Sequence, residues 1–585
     1  MGDDCVEDAE QITEESPQKQ EWGNKVEFLF SCISYAVGIG NLWRFPYLAQ
    51  DNGGGTFLIP YLIMLVIEGM PLFYLEMCVG QLMRKGVIGS WSAIHPTLAG
   101  IGWAAVTTSF LVGIYYNVII VWSFFYLFSS FQHTLPWSKC SDVNGTSAQL
   151  CRNATSRYFW YNDALEISGS INDAGSVNWK LCLILLLAWT VVFCAMAKGI
   201  KAQGKIVYFT TLYPYVILLI LFFRGVFLEG AGHGIKYLFQ PDWDKLYDPD
   251  VWRIAATQIF YSLGLGFGGL VAYSSYNKKD NNTLKDTLII TLINSGTSIF
   301  GAIVIFSILG HLSVKNGIKL SEVGSGPGLA FIAFSEGLTL LVPSVMWSIF
   351  FFLMLLCLGI GSMFGTLECV LACMADVYPF NKWRREVHVA LVCAVSFLVG
   401  ISMVTQGGSY VVELFDQFAG SLPLLLIGFC ECFAVSYIYG ASRFSDDVEA
   451  INGLRPSRYW RFCWRFLSPI LMVILFLSSV IYEIIKPPTY QAYDASTNKT
   501  VETKFPGWAE FVGAVLIILS VINIPIFVFL NLPPDWKPRL RLFLNTCCGQ
   551  SFAPSQLEND NDSVNSLDAT NPSTQYRELE DMSAA

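Results

Sequence analysis

Apolar residues along this chain gather into long runs separated by short polar stretches. The runs begin near Val26, Thr56, Leu98, Trp179, Ile206, Ile254, Thr287, Val342, Val389, Leu422, Phe466 and Phe511. A helix needs roughly 20 such residues to cross a hydrocarbon core. The pattern therefore predicts an all-α polytopic membrane protein with about twelve transmembrane helices.

Basic residues in the short loops orient these helices. Arg84-Lys85, then Lys198, Lys201 and Lys205, then Lys278-Lys279 and Lys285 fall in alternate loops. Arg384-Arg385 and the group Arg443, Arg455, Arg458 and Arg461 follow the same alternation. These loops are expected to face the cytosol, which puts both termini there. The opposite set includes a polar loop at about 131–177. It carries Cys140 and Cys151 beside the sequons at Asn144 and Asn153, and a disulfide and sugars both belong outside the cytosol. Asn498 is a third candidate sequon on that side.

Composition agrees with this reading. Charged residues make up 14% of the 585, against about 25% in a soluble chain. The net charge of −10 comes from the ends. Residues 1–21 hold eight acids and one lysine, and residues 551–585 hold seven acids and one arginine. The expected organisation is a disordered acidic tail over 1–21, a transmembrane domain over 22–535 and a second tail over 536–585. The first 20 residues contain no apolar run, so insertion is expected to rely on the first membrane helix.

Two spans depart from plain helix. The first reads Ser34-Tyr-Ala-Val-Gly-Ile-Gly-Asn-Leu-Trp-Arg-Phe-Pro46, and the sixth reads Gln258-Ile-Phe-Tyr-Ser-Leu-Gly-Leu-Gly-Phe-Gly-Gly269. Each interior glycine costs about 1 kcal/mol against alanine, so closely spaced glycines favour local unwinding. Unwound backbone at membrane depth is tolerated where it lines a cavity, and broken helices at matching positions of two halves point to a transport site. Freed carbonyls bind cations, and freed amides bind a carboxylate. Neutral oxygens at membrane depth are Ser34, Asn41, Ser262, Asn294, Thr297, Ser298 and Ser362. Glu68, Glu76, Glu368 and Glu431 lie within or at the ends of apolar runs and must be paired, protonated or wet. Glu76 is placed to brace the amides of a broken helix. Gly264-x-Gly266-x-x-Gly269 is not a dinucleotide fingerprint, because no strand–helix–strand unit surrounds it. The five histidines show no metal spacing and no catalytic motif appears, so an enzyme is not expected, nor a nucleic-acid partner.

Asn41-Leu-Trp-Arg-Phe-Pro-Tyr47, Asn52-Gly-Gly-Gly-Thr-Phe57, Tyr115-Tyr116-Asn117 and the 258–269 segment resemble the sodium- and chloride-dependent neurotransmitter symporter family. The resemblance runs from about Trp22 to Asn531. It implies the bacterial leucine transporter fold, a 5+5 inverted repeat with helices 1 and 6 unwound at mid-membrane. It implies a first sodium site of the Ala36 carbonyl, Asn41, Ser262 and Asn294. A second would use the carbonyls of Ser34, Val37 and Leu358 with the Ser362 hydroxyl. Chloride would sit among Tyr61, Gln258, Ser262, Asn294 and Ser298. Chloride-independent bacterial relatives carry Glu at the Ser298 position, so a neutral serine implies chloride dependence. The substrate pocket would comprise Tyr35, Ala36, Gly38, Gly40, Val112, Tyr116, Tyr261, Gly264, Phe267, Ser362 and Thr366. Gates would be Arg44 with Asp416 outside and Lys19 with Asp376 inside, with Trp22 packed beneath the inner one.

Two departures from the family pattern stand out. Lys19 replaces the usual arginine, which turns a bidentate clamp into a point charge. Gly361 replaces a hydroxyl or carboxylate of the second sodium site, which puts the ion stoichiometry in question. At position 38, monoamine carriers have Asp, whereas Gly38 leaves room for a substrate's own carboxylate. Ser34-Tyr-Ala-Val-Gly38, Leu358-Gly-Ile-Gly-Ser-Met363 and Leu135-Pro-Trp-Ser-Lys-Cys140 look most like the epithelial imino-acid and neutral amino-acid carriers. The expected function is therefore sodium- and chloride-coupled symport of a small neutral amino or imino acid, proline-, betaine- or leucine-like, across the plasma membrane. By the same resemblance, a single-span peptidase-like subunit is a possible trafficking partner. The alternative is an amino-acid-binding nutrient sensor with little or no transport. A channel is disfavoured, because the polar residues form one asymmetric midplane cluster rather than rings.

Overall fold

The computed structural model describes residues 21–140, 151–152, 154–317, 320 and 329–531. Lys19, Asn144 and Asn153 lie outside the described residues, as does nearly all of both tails. One compact unit reaches Val528; the described part of a second is Phe529–Asn531.

Ten helices among the described residues are long and apolar enough to span a membrane. They are Gly55–Met83, Pro96–Ser130, Trp179–Met196, Ile200–Val226, Thr283–Asn316, Ser344–Asp376, Arg385–Val404, Gly408–Asn452, Arg458–Ile485 and Gly507–Leu530. An eleventh is a pair bent by 41° that begins at Lys25 and ends at Asp51. The twelfth expected span, the sixth in chain order, consists of two shorter helices, Pro249–Leu263 and Gly269–Ser274. Neither half is long enough to cross alone, and the five residues between them are where the glycines lie. The outer faces of the fourth, fifth, eleventh and twelfth spans expose rows of Leu, Ile, Val and Phe, as lipid contact requires.

Helix dominates, and among the described residues one feature falls outside the all-helical expectation. Thr489–Asp494 and Lys499–Lys504 pair as an antiparallel hairpin between the last two spans. Asn498 sits in its turn at φ +52°. Its carboxamide is buried and accepts from the Tyr493 hydroxyl at 2.9 Å, so a glycan at this sequon would need the turn to open. Short π-helical stretches also interrupt several spans, at Leu65–Gly69, Ala434–Gly440 and Cys463–Leu467. In the 131–177 loop, Cys140 and Cys151 are joined by a disulfide.

Candidate functional site

The first span breaks because its amides turn away from their own helix. Lys25–Ala36 ends, Val37 and Gly38 are extended, and Ile39–Asp51 begins. The Gly38 amide donates to Asn41 Oδ1 at 3.0 Å instead of to the Ser34 carbonyl. The Ile39 amide donates to the Tyr116 hydroxyl at 3.3 Å instead of to Tyr35. The Asn41 amide goes to Gly38 at 3.2 Å instead of to Val37. The carbonyls of Ser34, Tyr35 and Val37 are thereby released from helical bonding.

The sixth span breaks through backbone geometry. Gly264, Gly266 and Gly268 have φ of +67°, +75° and +75°, a region L-residues rarely enter. Side chains from three other spans hold the unwound loop. Tyr35 donates to the Gly264 carbonyl at 3.0 Å, and Ser109 donates to the Phe267 carbonyl at 2.6 Å. The Gly266 amide donates to Glu76 Oε1 at 2.8 Å, the bracing expected of that carboxylate. Such pinning matters because an unpaired buried amide costs about 1–3 kcal/mol.

Between the two breaks lies a cavity of ≈ 90 Å³. Its lining includes every residue expected to meet substrate: Tyr35, Ala36, Gly38, Gly40, Val112, Tyr116, Tyr261, Gly264, Phe267, Ser362 and Thr366. Gly38 has no spare room, since a Cβ there would stand 2.5 Å from Ser362 Oγ and 2.9 Å from the Tyr116 hydroxyl.

Beside the cavity is a buried cluster of neutral polar side chains. Asn41 Nδ2 lies 2.7 Å from Asn294 Oδ1, 2.8 Å from Ser298 Oγ and 3.2 Å from Ser262 Oγ. Asn294 Nδ2 reaches Ser262 Oγ at 2.8 Å. Tyr61 donates to Ser295 at 3.3 Å, and the buried Gln258 Oε1 has no hydrogen-bond partner among the described residues. Hard oxygens without formal charge suit a small alkali cation, and the adjoining hydroxyls and amides suit an anion. Thr297 does not join the cluster: it bonds the Ile293 carbonyl of its own helix at 2.7 Å and meets Tyr215 at 3.0 Å. In the second sodium set, Ser362 Oγ faces the Ser34 carbonyl at 3.4 Å. Leu358 lies one turn earlier on the same helix.

A second cavity of ≈ 660 Å³ lies on the side toward the 131–177 loop. Trp43, Arg44, Ile119, Gln258 and Asp416 line both cavities. Arg44 and Asp416 approach to 3.8 Å, and the Arg44 guanidinium lies 4.3 Å from the Tyr261 ring centroid. Tyr115 donates to Asp416 at 2.9 Å. Sequence reasoning assigned Tyr116 of the Tyr115-Tyr116-Asn117 motif and missed its neighbour.

Several contacts join the elements on the opposite face. Trp22 donates through Nε1 to the Tyr273 carbonyl at 3.0 Å and lies edge-on to Tyr273 and Tyr276. Arg84 pairs with Glu21 at 2.7 Å, and Lys25 pairs with Asp286. Asp376 accepts the Gly86 amide at 2.5 Å. The expected Lys19–Asp376 gate cannot be drawn, because Lys19 is outside the described residues. A different network occupies this face. Glu368, fully buried, takes Arg385 in two-point fashion at 2.6 and 3.0 Å and the Tyr276 hydroxyl at 2.9 Å. The sequence showed that Glu368 needed a partner but did not show which one.

Comparison with known proteins agrees with this geometry. The model of the sodium:neurotransmitter symporter family matches residues 19–533. The mouse sodium-dependent neutral amino acid transporter B(0)AT1 is 38% identical, over 92% of this chain and 93% of that protein. The mouse B(0)AT3 transporter is 40% identical, over 89% and 95%. The human sodium-dependent neutral amino acid transporter SLC6A17 is 39% identical, over 87% and 79%. With the broken first and sixth spans, the central cavity between them and a family match over nearly the whole chain, this protein belongs to the sodium:neurotransmitter symporter family.

Proposed function

We propose that this chain carries a small neutral amino or imino acid inward, coupled to sodium and chloride, by alternating access. The observation that carries the reading is the central cavity, which is small, lies between two unwound helices and adjoins a buried set of neutral oxygens. The lining carries Gly38 at the position where an amine without a carboxylate would need an acid. A substrate with its own carboxylate suits the Tyr116 hydroxyl, which accepts from the Ile39 amide and keeps its own proton to donate, while the released carbonyls suit cations. The relatives' names, sodium-dependent neutral amino acid transporters, support the same substrate class.

Asn41, Ser262, Asn294 and the Ala36 carbonyl would hold one sodium. Ser34, Val37, Leu358 and Ser362 would hold the other. Tyr61, Gln258, Ser262, Asn294 and Ser298 would hold chloride. Sodium buried at low dielectric favours a nearby anion, and Ser298 supplies no charge of its own. Arg44 and Asp416 form an outer gate beneath the larger cavity. Both side chains are half-buried and the pair is loose at 3.8 Å, which suits a contact that opens in every cycle. Helices one, two, six and seven would rock against three, four, eight and nine. The protein would sit in the plasma membrane with both termini in the cytosol, and a single-span peptidase-like subunit remains a candidate trafficking partner.

Uptake of radiolabelled proline, leucine and betaine into cells expressing the chain tests this, with sodium or chloride replaced in turn. Uptake of at least one solute is expected to collapse without sodium and to fall without chloride. A chain at the cell surface that accumulates none of them contradicts the substrate class.

A further inference from the structure

The second sodium set has an apparent gap. Position 361 adjoins Ser362 on the eighth span, and Gly361 offers no side-chain oxygen. The space beside it is nevertheless filled. A Cβ on Gly361 would stand 2.0 Å from Ser34 Oγ and 3.2 Å from both Ser34 Cβ and the Ser34 carbonyl oxygen. The Ser34 side chain therefore occupies the volume that a residue-361 side chain would take, and the two cannot coexist in this arrangement.

The Ser34 hydroxyl is placed to act as a ligand. Ser34 is 4% exposed. The one hydrogen-bond contact of its hydroxyl among the described residues is Thr210 Oγ1 at 3.5 Å, at the outer limit for such a bond. A buried serine in a helix ordinarily spends its hydroxyl on a carbonyl of the preceding turn, and Ser34 does not. The carbonyl of the same residue faces Ser362 Oγ at 3.4 Å. Both oxygens of Ser34 therefore lie against the same turn of the eighth span, at the end of the broken first span.

We propose that Ser34 Oγ supplies from the first span the hydroxyl ligand that position 361 lacks on the eighth. The second sodium then keeps a full set of hard oxygens: the carbonyls of Ser34, Val37 and Leu358 and the hydroxyls of Ser34 and Ser362. Thr210, on the fifth span, backs the relocated hydroxyl. Gly361 is then a complement to Ser34 rather than a lost ligand, and the chain retains two sodium sites. This inference rests on the second-site reading above.

The test measures ion binding without transport. Radioactive sodium binding and sodium-dependent thermal stabilisation are recorded on purified full-length protein. Ser34→Ala is expected to raise the half-saturating sodium concentration about tenfold and to lower the steepness of the curve, as befits the loss of one polar ligand. The double variant Ser34→Gly with Gly361→Ser, which returns the hydroxyl to the eighth span, is expected to recover wild-type sodium binding. Gly361→Ser alone meets Ser34 Oγ and is expected to bind worse than the double variant. Ser362→Ala serves as the reference for the site itself. If Ser362→Ala weakens sodium binding and Ser34→Ala does not, the Ser34 assignment is overturned while the second site stands. If neither has any effect, the second-site reading fails and this proposal falls with it. If Ser34→Ala weakens binding and the double variant recovers nothing, Ser34 acts by packing, which also overturns the proposal.

Discussion

Replacing Tyr276 by Phe removes one oxygen from the N-terminal face. That hydroxyl donates to Glu368 Oε1 at 2.9 Å, and Glu368 is otherwise held by Arg385. Glu368 and Arg385 lie on the eighth and ninth spans, whereas Tyr276 follows the second half of the broken sixth. If the two groups of helices rock apart, the tyrosine bond is the one that must part while the ion pair travels intact. A hydrogen bond to a charged group contributes about 1.5–3 kcal/mol, and each 1.4 kcal/mol is tenfold in an equilibrium constant, so its loss favours the form open on this face by about 10- to 100-fold. The substituted ring can keep its edge contact with Trp22 at 6.2 Å, so little packing is lost. The readout is site-resolved alkylation of Cys369. Its sulfur packs against the start of Gly269–Ser274; a Cβ on Gly268 would stand 3.0 Å from it. When opening and closing outrun labelling, the rate follows the open population, so Tyr276→Phe should label at least about tenfold faster. A rate within about twofold of wild type in folded protein corresponds to less than 0.5 kcal/mol and would refute the assignment of this bond as the moving contact.

Three further outcomes follow from the site. Gly264→Ala puts a Cβ 2.6 Å from the Tyr35 ring and hydroxyl at φ +67°; the backbone strain alone is about 1–2 kcal/mol, to be seen as a lower melting temperature of the purified protein, and an unchanged melting temperature would mean that the loop takes a side chain here without strain. Glu76→Leu leaves the Gly266 amide without its acceptor; the cost is about 1–3 kcal/mol, to be seen as a lower melting temperature of the purified protein, whereas an unchanged melting temperature would mean the loop is held elsewhere. Ser298→Glu places a fixed anion beside Asn41 and Asn294, so sodium-driven uptake should persist when chloride is replaced by gluconate; uptake that still falls with chloride would place the anion at another site.

The fold was legible where chemistry is local. Apolar runs located the spans, and Gly264, Gly266 and Gly268 marked the break because only glycine takes those dihedrals cheaply. The residues that line the central cavity were reached through the family resemblance carried by the motifs around Asn41 and Tyr116, and their contact with substrate stays a proposal. What the sequence hid were pairings across long separations. Nothing near Glu368 announces Arg385 and Tyr276 as its partners, and nothing near Gly361 announces that Ser34 fills its space. The hairpin was hidden for a different reason. Its strands alternate over Thr489–Asp494 and Lys499–Lys504, but they are short and lie between two apolar helices that dominate the pattern. The π-helical turns leave no period of their own in so uniformly apolar a background.

Sodium-coupled symport requires that a sodium gradient drive substrate uphill. The most direct measurement uses purified protein in sealed liposomes with labelled substrate at equal concentration on both sides and sodium high outside only. The inner concentration is expected to rise above the outer one and to return to equality when an ionophore dissipates the gradient. Substrate that binds the protein yet never exceeds its starting concentration inside, with the gradient intact, would contradict sodium-coupled symport.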